Sequence, residues 1–263
     1  MKSNKVPLKM LIALLLIVII PACEPATKQK EQPTVTRELH IATAAGLRFA
    51  FEEIGEVFEV EKGTRVVFQF GSSGNLAQQI SSGAPVDLFI SANKSFVEDL
   101  VAKGDILDET VELFAIGRIV LAVNKQSGLE VHSLNDLSCD EIDYISIANS
   151  SHAPYGMAAK EALENKGLWD QLEDKLIYGE TVTQAMQFVR TGNAPVGIIA
   201  LSIAGVPEIE SFPVDEMLYN PLEQMLGVVS HSQQKELALE FAAFVNGPRG
   251  QAIMKKHGFD MPE

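Results

Sequence analysis

The stretch RVVFQFGSSGNLAQQISSGAPVDLFISA, residues 65–92, decides the fold. Its opening, Arg65 to Phe70, is β-branched and aromatic and predicts a strand. Gly71-Ser72-Ser73-Gly74 interrupts it with small polar residues. Leu76 and Ile80 then fall one turn apart, the spacing of a helix with one apolar face. Val86 to Ser91 returns to a strand. Strand, small loop, helix and strand in succession is the unit of a mixed α/β fold built on parallel strands.

The same alternation continues on both sides. Leu39 to Thr43 is a strand candidate followed by the small turn Ala44-Ala45-Gly46. Leu47, Phe51, Ile54, Val57 and Phe58 then mark a helix that Gly63 closes. Downstream, Ser95 and Glu98 have capping-box spacing for a helix ending near Gly104. Ile116 to Val123 reads as one long strand, and Tyr144 to Ala148 as another, followed by the loop Asn149 to Gly156. A helix to about Asn165 stops at Gly167. Leu176 to Tyr178 leads through Gly179-Glu180-Thr181-Val182 into a helix carrying Ala185, Met186 and Val189. Pro195 to Ala200 is a strand, and Leu237, Phe241 and Phe244 mark a late amphipathic helix. So many strands exceed one compact sheet, and two α/β lobes are expected.

The N-terminus carries an address rather than a fold. Lys2, Lys5 and Lys9 precede an uncharged apolar run, Met10 to Ile20. A membrane span needs about 20 apolar residues, so this shorter run reads as a secretory signal peptide over residues 1–22. Ile20-Pro21-Ala22-Cys23 resembles a bacterial lipobox, making Cys23 the expected lipidation site; a conventional cut near Ala22 would leave it a free thiol. Residues 23–37 are polar and aperiodic, the composition of a flexible tether. The only other cysteine, Cys139, would then have no disulfide partner. The expected location is therefore outside the cytoplasm, on the outer face of the cytoplasmic membrane or in the periplasm.

Charge excludes one class of partner. The formal net charge is −14, and losing Lys2, Lys5 and Lys9 with the leader takes it to −17. Nucleic acid demands the opposite sign. An anionic cargo would have to be held by local dipoles against the overall field. The histidines lack the i, i+4 spacing of a helical metal site, so no side-chain set for a cation is expected. There is no Gly-x-Ser-x-Gly elbow and no phosphate loop.

Four small polar loops precede helices: Thr43 to Gly46, Gly71 to Gly74, Ser150 to Gly156 and Gly179 to Val182. In parallel α/β folds, ligands sit at such loops, outside the carboxyl ends of the strands. Helix N-termini there offer unpaired N–H groups and a dipole that favours an anion. For any one loop alone, ordinary capping is the stronger reading.

The motifs Gly71-Ser72-Ser73-Gly74-Asn75-Leu76-Ala77-Gln78-Gln79-Ile80 and Gly83-Ala84-Pro85-Val86-Asp87-Leu88-Phe89-Ile90-Ser91-Ala92 resemble the molybdate-binding proteins of bacterial ABC importers. So do Ala153-Pro154-Tyr155-Gly156 and Asn193-Ala194-Pro195-Val196-Gly197-Ile198. The resemblance implies two Rossmann-like α/β lobes joined by two hinge strands, the type II periplasmic-binding-protein fold. Lobe 1 would comprise residues 38–115 and 231–263. Lobe 2 would comprise 116–230, with hinges near Ile116 to Val123 and Leu222 to Ser230. It implies an oxyanion site at Gly46, Ser73, Tyr155 and Val182, with Ala45, Ser72 and Thr181 as additional candidates. The implied ligand is molybdate or tungstate, with no cofactor and no catalysis. The implied partners are the oxyanion, an ABC permease and, through the lipid, the membrane, with the chain acting as a monomer. Two positions depart from the family: Gly46, where a hydroxyl or amide is usual, and Ala200, where many members have a ligand-binding tyrosine. Tyr155 could project its own hydroxyl into the space left at Ala200. Sulfate first among other oxyanions, or a signalling lipoprotein that kept the fold without the ligand, are the alternative readings.

Overall fold

The computed structural model describes residues 37–262; the leader, Cys23 and the tether before Arg37 lie outside the described residues. Strand β1 (Glu38–Ala44) and helix α1 (Arg48–Lys62) come first, then β2 (Arg65–Gly71), α2 (Ser73–Ser81), β3 (Leu88–Ser91), α3 (Lys94–Lys103) and β4 (Glu112–Gly117). After β5 (Ile119–Asn124) come β6 (Ile145–Ala148), α4 (Pro154–Asn165), α5 (Trp169–Leu172), β7 (Leu176–Gly179) and α6 (Val182–Arg190). Next are β8 (Val196–Ala200), α7 (Leu201–Ala204) and β9 (Ile209–Pro213). The chain ends with β10 (Leu222–Val228), α8 (Lys235–Asn246) and α9 (Pro248–Lys256).

Two five-stranded sheets result, ordered β2-β1-β3-β10-β4 and β7-β6-β8-β5-β9. β1 is parallel to β2 and β3, and β6 is parallel to β7 and β8. Each sheet has one reversed strand, β10 in the first and β5 in the second. The sheets are therefore mixed, not wholly parallel. The parallel strands put the loops after β1, β2, β6 and β7 at the carboxyl edges where helices begin.

Three expectations need correction. Ile116 to Val123 is not one strand: it breaks at Arg118, with β4 in one sheet and β5 in the other. Leu222 to Val228 pairs with β3 and β4, so it belongs to the first sheet rather than to the second lobe. The second crossover precedes it, in residues 214–221. Periodicity reports that a run is extended, but not which sheet receives its hydrogen bonds. At α3 the cap is Asn93, whose side chain accepts from the Ser95 N–H at 2.8 Å. Glu98 pairs with Lys94 instead of closing a capping box.

The crossovers are tied together by one side chain. Arg118 reaches Asp260 at 2.5 Å and Glu216 at 2.7 Å, joining the first crossover, the second and the C-terminal segment. Asp260 also exchanges both backbone hydrogen bonds with Ile116, at 2.8 and 3.0 Å. Behind the first sheet, α1 buries Phe51, Ile54 and Phe58 against α8, as its sequence period predicts. Phe241 of α8 is the hub, with ring centroids 5.0 Å from Phe58 and 6.2 Å from both Phe51 and Phe68. Phe241→Ala should lower unfolding free energy by about 3–5 kcal/mol, measured by urea denaturation; a loss under about 1 kcal/mol would show that the cluster repacks.

Candidate functional site

The four loops singled out in the sequence converge. A cavity holding about 200 Å³ of atom-free space, open solvent included, is lined by Ala44, Ala45 and Gly46 after β1 and by Gly71, Ser72 and Ser73 after β2. Ala153, Pro154 and Tyr155 at the start of α4, and Val182 at the start of α6, line it from the other sheet. Ala92 completes it at the end of β3. No lining residue carries a charged side chain.

Each loop delivers donors for a local reason. Ser73, Tyr155 and Val182 stand in the first turns of α2, α4 and α6, where backbone N–H groups have no acceptor inside the helix. Pro154 occupies the first position of α4, where a missing N–H costs nothing. Ser73 is fully buried, and its Oγ accepts from the Ala92 N–H at 3.1 Å. That bond uses a lone pair and leaves the Ser73 O–H to donate. Ala92 escaped the sequence reading as a site residue, although it ends the strand Val86 to Ser91 and strand ends are where such ligands sit.

Thr181 is placed differently from the other candidates. It does not line the cavity; its Oγ1 caps α6 by accepting from the Gln184 N–H at 3.1 Å. Gly46, Ser73, Tyr155 and Val182 do line it, as do Ala45 and Ser72.

The two sheets meet directly around this cavity. Thr183 Oγ1 donates to the Ala45 carbonyl at 3.0 Å, and Ser202 Oγ to the Gly46 carbonyl at 2.6 Å. The Gly74 N–H donates to the His152 carbonyl at 3.0 Å. A single buried cluster includes core residues from both sheets, Leu39 and Phe51 together with Ile119 and Ile198. The arrangement is a closed cleft.

Of the two departures from the family pattern, the one at Gly46 has a physical cause in the structure. A Cβ on Gly46 would stand 2.6 Å from Tyr155 Cε2, so the aromatic ring fills the space that a side chain at position 46 would need. Ala200 is fully buried and does not line the cavity. The Tyr155 hydroxyl does not replace a phenol there. It lies beside Gly117 and Gln224, where a Cβ on Gly117 would meet the hydroxyl oxygen at 2.5 Å and Gln224 Nε2 at 2.8 Å. The hydroxyl makes no hydrogen bond within the protein, and burial pushes the phenol pKa up, so it stays protonated. Tyr155 thus presents ring and backbone to the cavity while its hydroxyl lies at the first crossover.

One constellation was not anticipated. Ser72 Oγ lies 2.8 Å from His152 Nδ1, and His152 Nε2 lies 3.4 Å from Glu180 Oε2. The residues come from three loops, which is why sequence spacing concealed them. The order is the reverse of a hydrolytic triad, where Nε2 faces the serine and Nδ1 the acid.

Fold and site together define a two-lobed solute receptor. The chain belongs to the bacterial extracellular solute-binding proteins, whose family profile matches residues 39–260. The particular relatives are narrower in kind. The chain is 31% identical over 228 residues to the molybdate-binding protein of Rhodobacter capsulatus, covering 86% of this chain and 90% of that one. It is 30% identical to a putative ABC transporter substrate-binding lipoprotein of Bacillus subtilis, with 98% of each chain covered. The structure of the Azotobacter vinelandii periplasmic molybdate-binding protein superimposes with a TM-score of 0.81 at 29% identity, covering 86% of this chain and all of that one. The fold is accordingly the two-lobed type II periplasmic-binding architecture.

The contact between Gly46 and Tyr155 is testable without a ligand. Gly46→Ser should destabilise by about 1–3 kcal/mol through overpacking. Combined with Tyr155→Ala, it should cost less than the sum of the two single changes, a coupling of about 1 kcal/mol or more in a double-mutant cycle. Strict additivity would show that the ring moves aside freely.

Proposed function

We propose that the chain captures a tetrahedral dianion, molybdate or tungstate, between its two lobes and hands it to an ABC permease. It acts as a receptor and not as an enzyme. The observation that carries this reading is the cavity itself: helix N-termini from both sheets meet on a closed space with no charged lining side chain. Neutral dipoles in a dry cleft can hold a dianion that an acidic protein would otherwise repel. The oxyanion contacts are the N–H groups of Gly46, Ser73, Tyr155 and Val182, the Ser73 hydroxyl, and Ala45 and Ser72 beside them. The names of the relatives support the choice of cargo.

The cavity's chemistry favours fully deprotonated oxyanions. Molybdate, tungstate and sulfate only accept hydrogen bonds at neutral pH, whereas phosphate keeps a proton and calls for a carboxylate acceptor. No carboxylate lines the cavity; Glu180 is the acidic residue of the four loops, is 69% exposed, and turns to His152. Cys23 anchors the chain by lipid to the outer side of the membrane, residues 24–37 act as its tether, and the folded part works as a monomer. The name of the Bacillus subtilis relative supports the anchor. The sheets form two lobes that open about Arg118 and residues 214–221, the two places where the chain passes between them.

A thermal-unfolding scan with molybdate, tungstate, sulfate, phosphate and a neutral sugar tests the reading. Ligand at a thousand times its dissociation constant adds about 4 kcal/mol, an upward shift of roughly 10 °C. Molybdate and tungstate should shift the midpoint and the sugar should not. A shift with sulfate or phosphate alone would change the cargo, and no shift with any oxyanion would remove the receptor assignment.

A further inference from the structure

We propose that His152 is a positioning residue that turns the Ser72 hydroxyl toward the bound anion, and that anion capture therefore takes up a proton on its imidazole. This rests on the receptor reading above and adds a role outside the four donor loops' backbone. His152 belongs to the second sheet's loops and Ser72 to the first's, so their contact exists only across the closed cleft. The approach is held at the backbone as well: the Gly74 N–H donates to the His152 carbonyl at 3.0 Å, and a Cβ on Gly74 would stand 2.9 Å from both that oxygen and His152 Cβ.

The proton bookkeeping follows from the two distances. Across the 2.8 Å contact, either the Ser72 O–H donates to Nδ1 or Nδ1–H donates to Ser72 Oγ. In the first case the only hydroxyl proton points at the ring, and Ser72 offers the cavity lone pairs that repel an anion. In the second, Ser72 Oγ accepts from the ring and its O–H is released toward the cavity it lines. The second case requires a proton on Nδ1. A neutral ring of that tautomer would face the Glu180 carboxylate with the bare Nε2 lone pair across 3.4 Å. The doubly protonated ring avoids this, donating from Nε2 to Glu180 and from Nδ1 to Ser72. The state that presents a donor to the anion is therefore the imidazolium.

Glu180 is the charged group that faces the ring. The loop residues 71–76, 149–155 and 181–184 hold no other titratable side chain except Tyr155, whose hydroxyl lies away at Gly117. Because the favoured ring state carries the extra proton, binding tightens as the pH falls and weakens as it rises. At a fixed protonation state of the anion, the weakening approaches a limiting slope of about tenfold per pH unit.

The test is calorimetric titration of the full chain in detergent with molybdate, from pH 6 to pH 8.5, in buffers of different ionisation enthalpy. Wild type should take up a fraction of a proton per anion and bind at least about tenfold more tightly at pH 6 than at pH 8.5. His152→Gln, whose amide donates without titrating, should bind with a flat pH profile and no proton uptake, and Ser72→Ala should flatten the profile as well. Wild-type binding that is independent of pH, or a His152→Gln variant that keeps the wild-type slope, would overturn the role of His152 and leave the receptor intact. Absence of molybdate binding by wild type across the range would overturn both.

Discussion

At two glycines the opposing sheets come closer than a side chain would allow, and the closed cleft depends on that approach. Gly46 lies under the Tyr155 ring, and Gly74 lies against the His152 backbone. At both places a single carbon would stand within 3 Å of an atom from the opposite sheet. Glycine is required there for want of space, not for an unusual dihedral: neither residue has a positive φ. Closing the gap lets Thr183, Ser202 and Gly74 hydrogen-bond across the interface.

That closeness governs the electrostatics. Exposed donors in water would hold a dianion weakly, because solvent competes for every oxygen and screens every dipole. Between two closed sheets the same neutral N–H groups act in a lower dielectric than bulk water, which strengthens each bond to an anion. The protein's surplus of acidic residues is then compatible with an anionic cargo, since no charged side chain lines the cavity. One ion-pair network lies at the crossovers, where Arg118 holds Glu216 and Asp260.

The departures at Gly46 and Ala200 illustrate how far single positions can be interpreted. Taken separately, each is a lost donor. In three dimensions Gly46 and Tyr155 form one solution, a ring of the second sheet occupying the volume of a missing side chain in the first. Tyr155 Oη, Thr43 Oγ1 and Gln224 Oε1 are buried without protein partners, a cost of roughly 1–3 kcal/mol each if water does not reach them. Thr43 and Gln224 alternate with Ile41 and Leu226 along β1 and β10, on the face turned toward the main core.

Local order was legible because it depends on neighbours in sequence. The strand-loop-helix-strand reading of residues 65–92 held, with β3 beginning at Leu88 rather than Val86, and Gly63 ends α1 as expected, in the left-handed region. The donor loops were legible too, since small residues ahead of an apolar helix announce an N-terminus. The sequence by itself determined the class of fold, the loops able to supply donors, and the acidity that any anion must overcome. Only the tertiary structure decided that the four loops share one cavity, that β10 belongs to the first sheet, that Ala92 lines the cavity while Thr181 does not, and that Ser72, His152 and Glu180 stand in a row. Those facts are set by contacts between residues tens of positions apart, fixed by packing and exclusion of volume, for which local periodicity carries no signal.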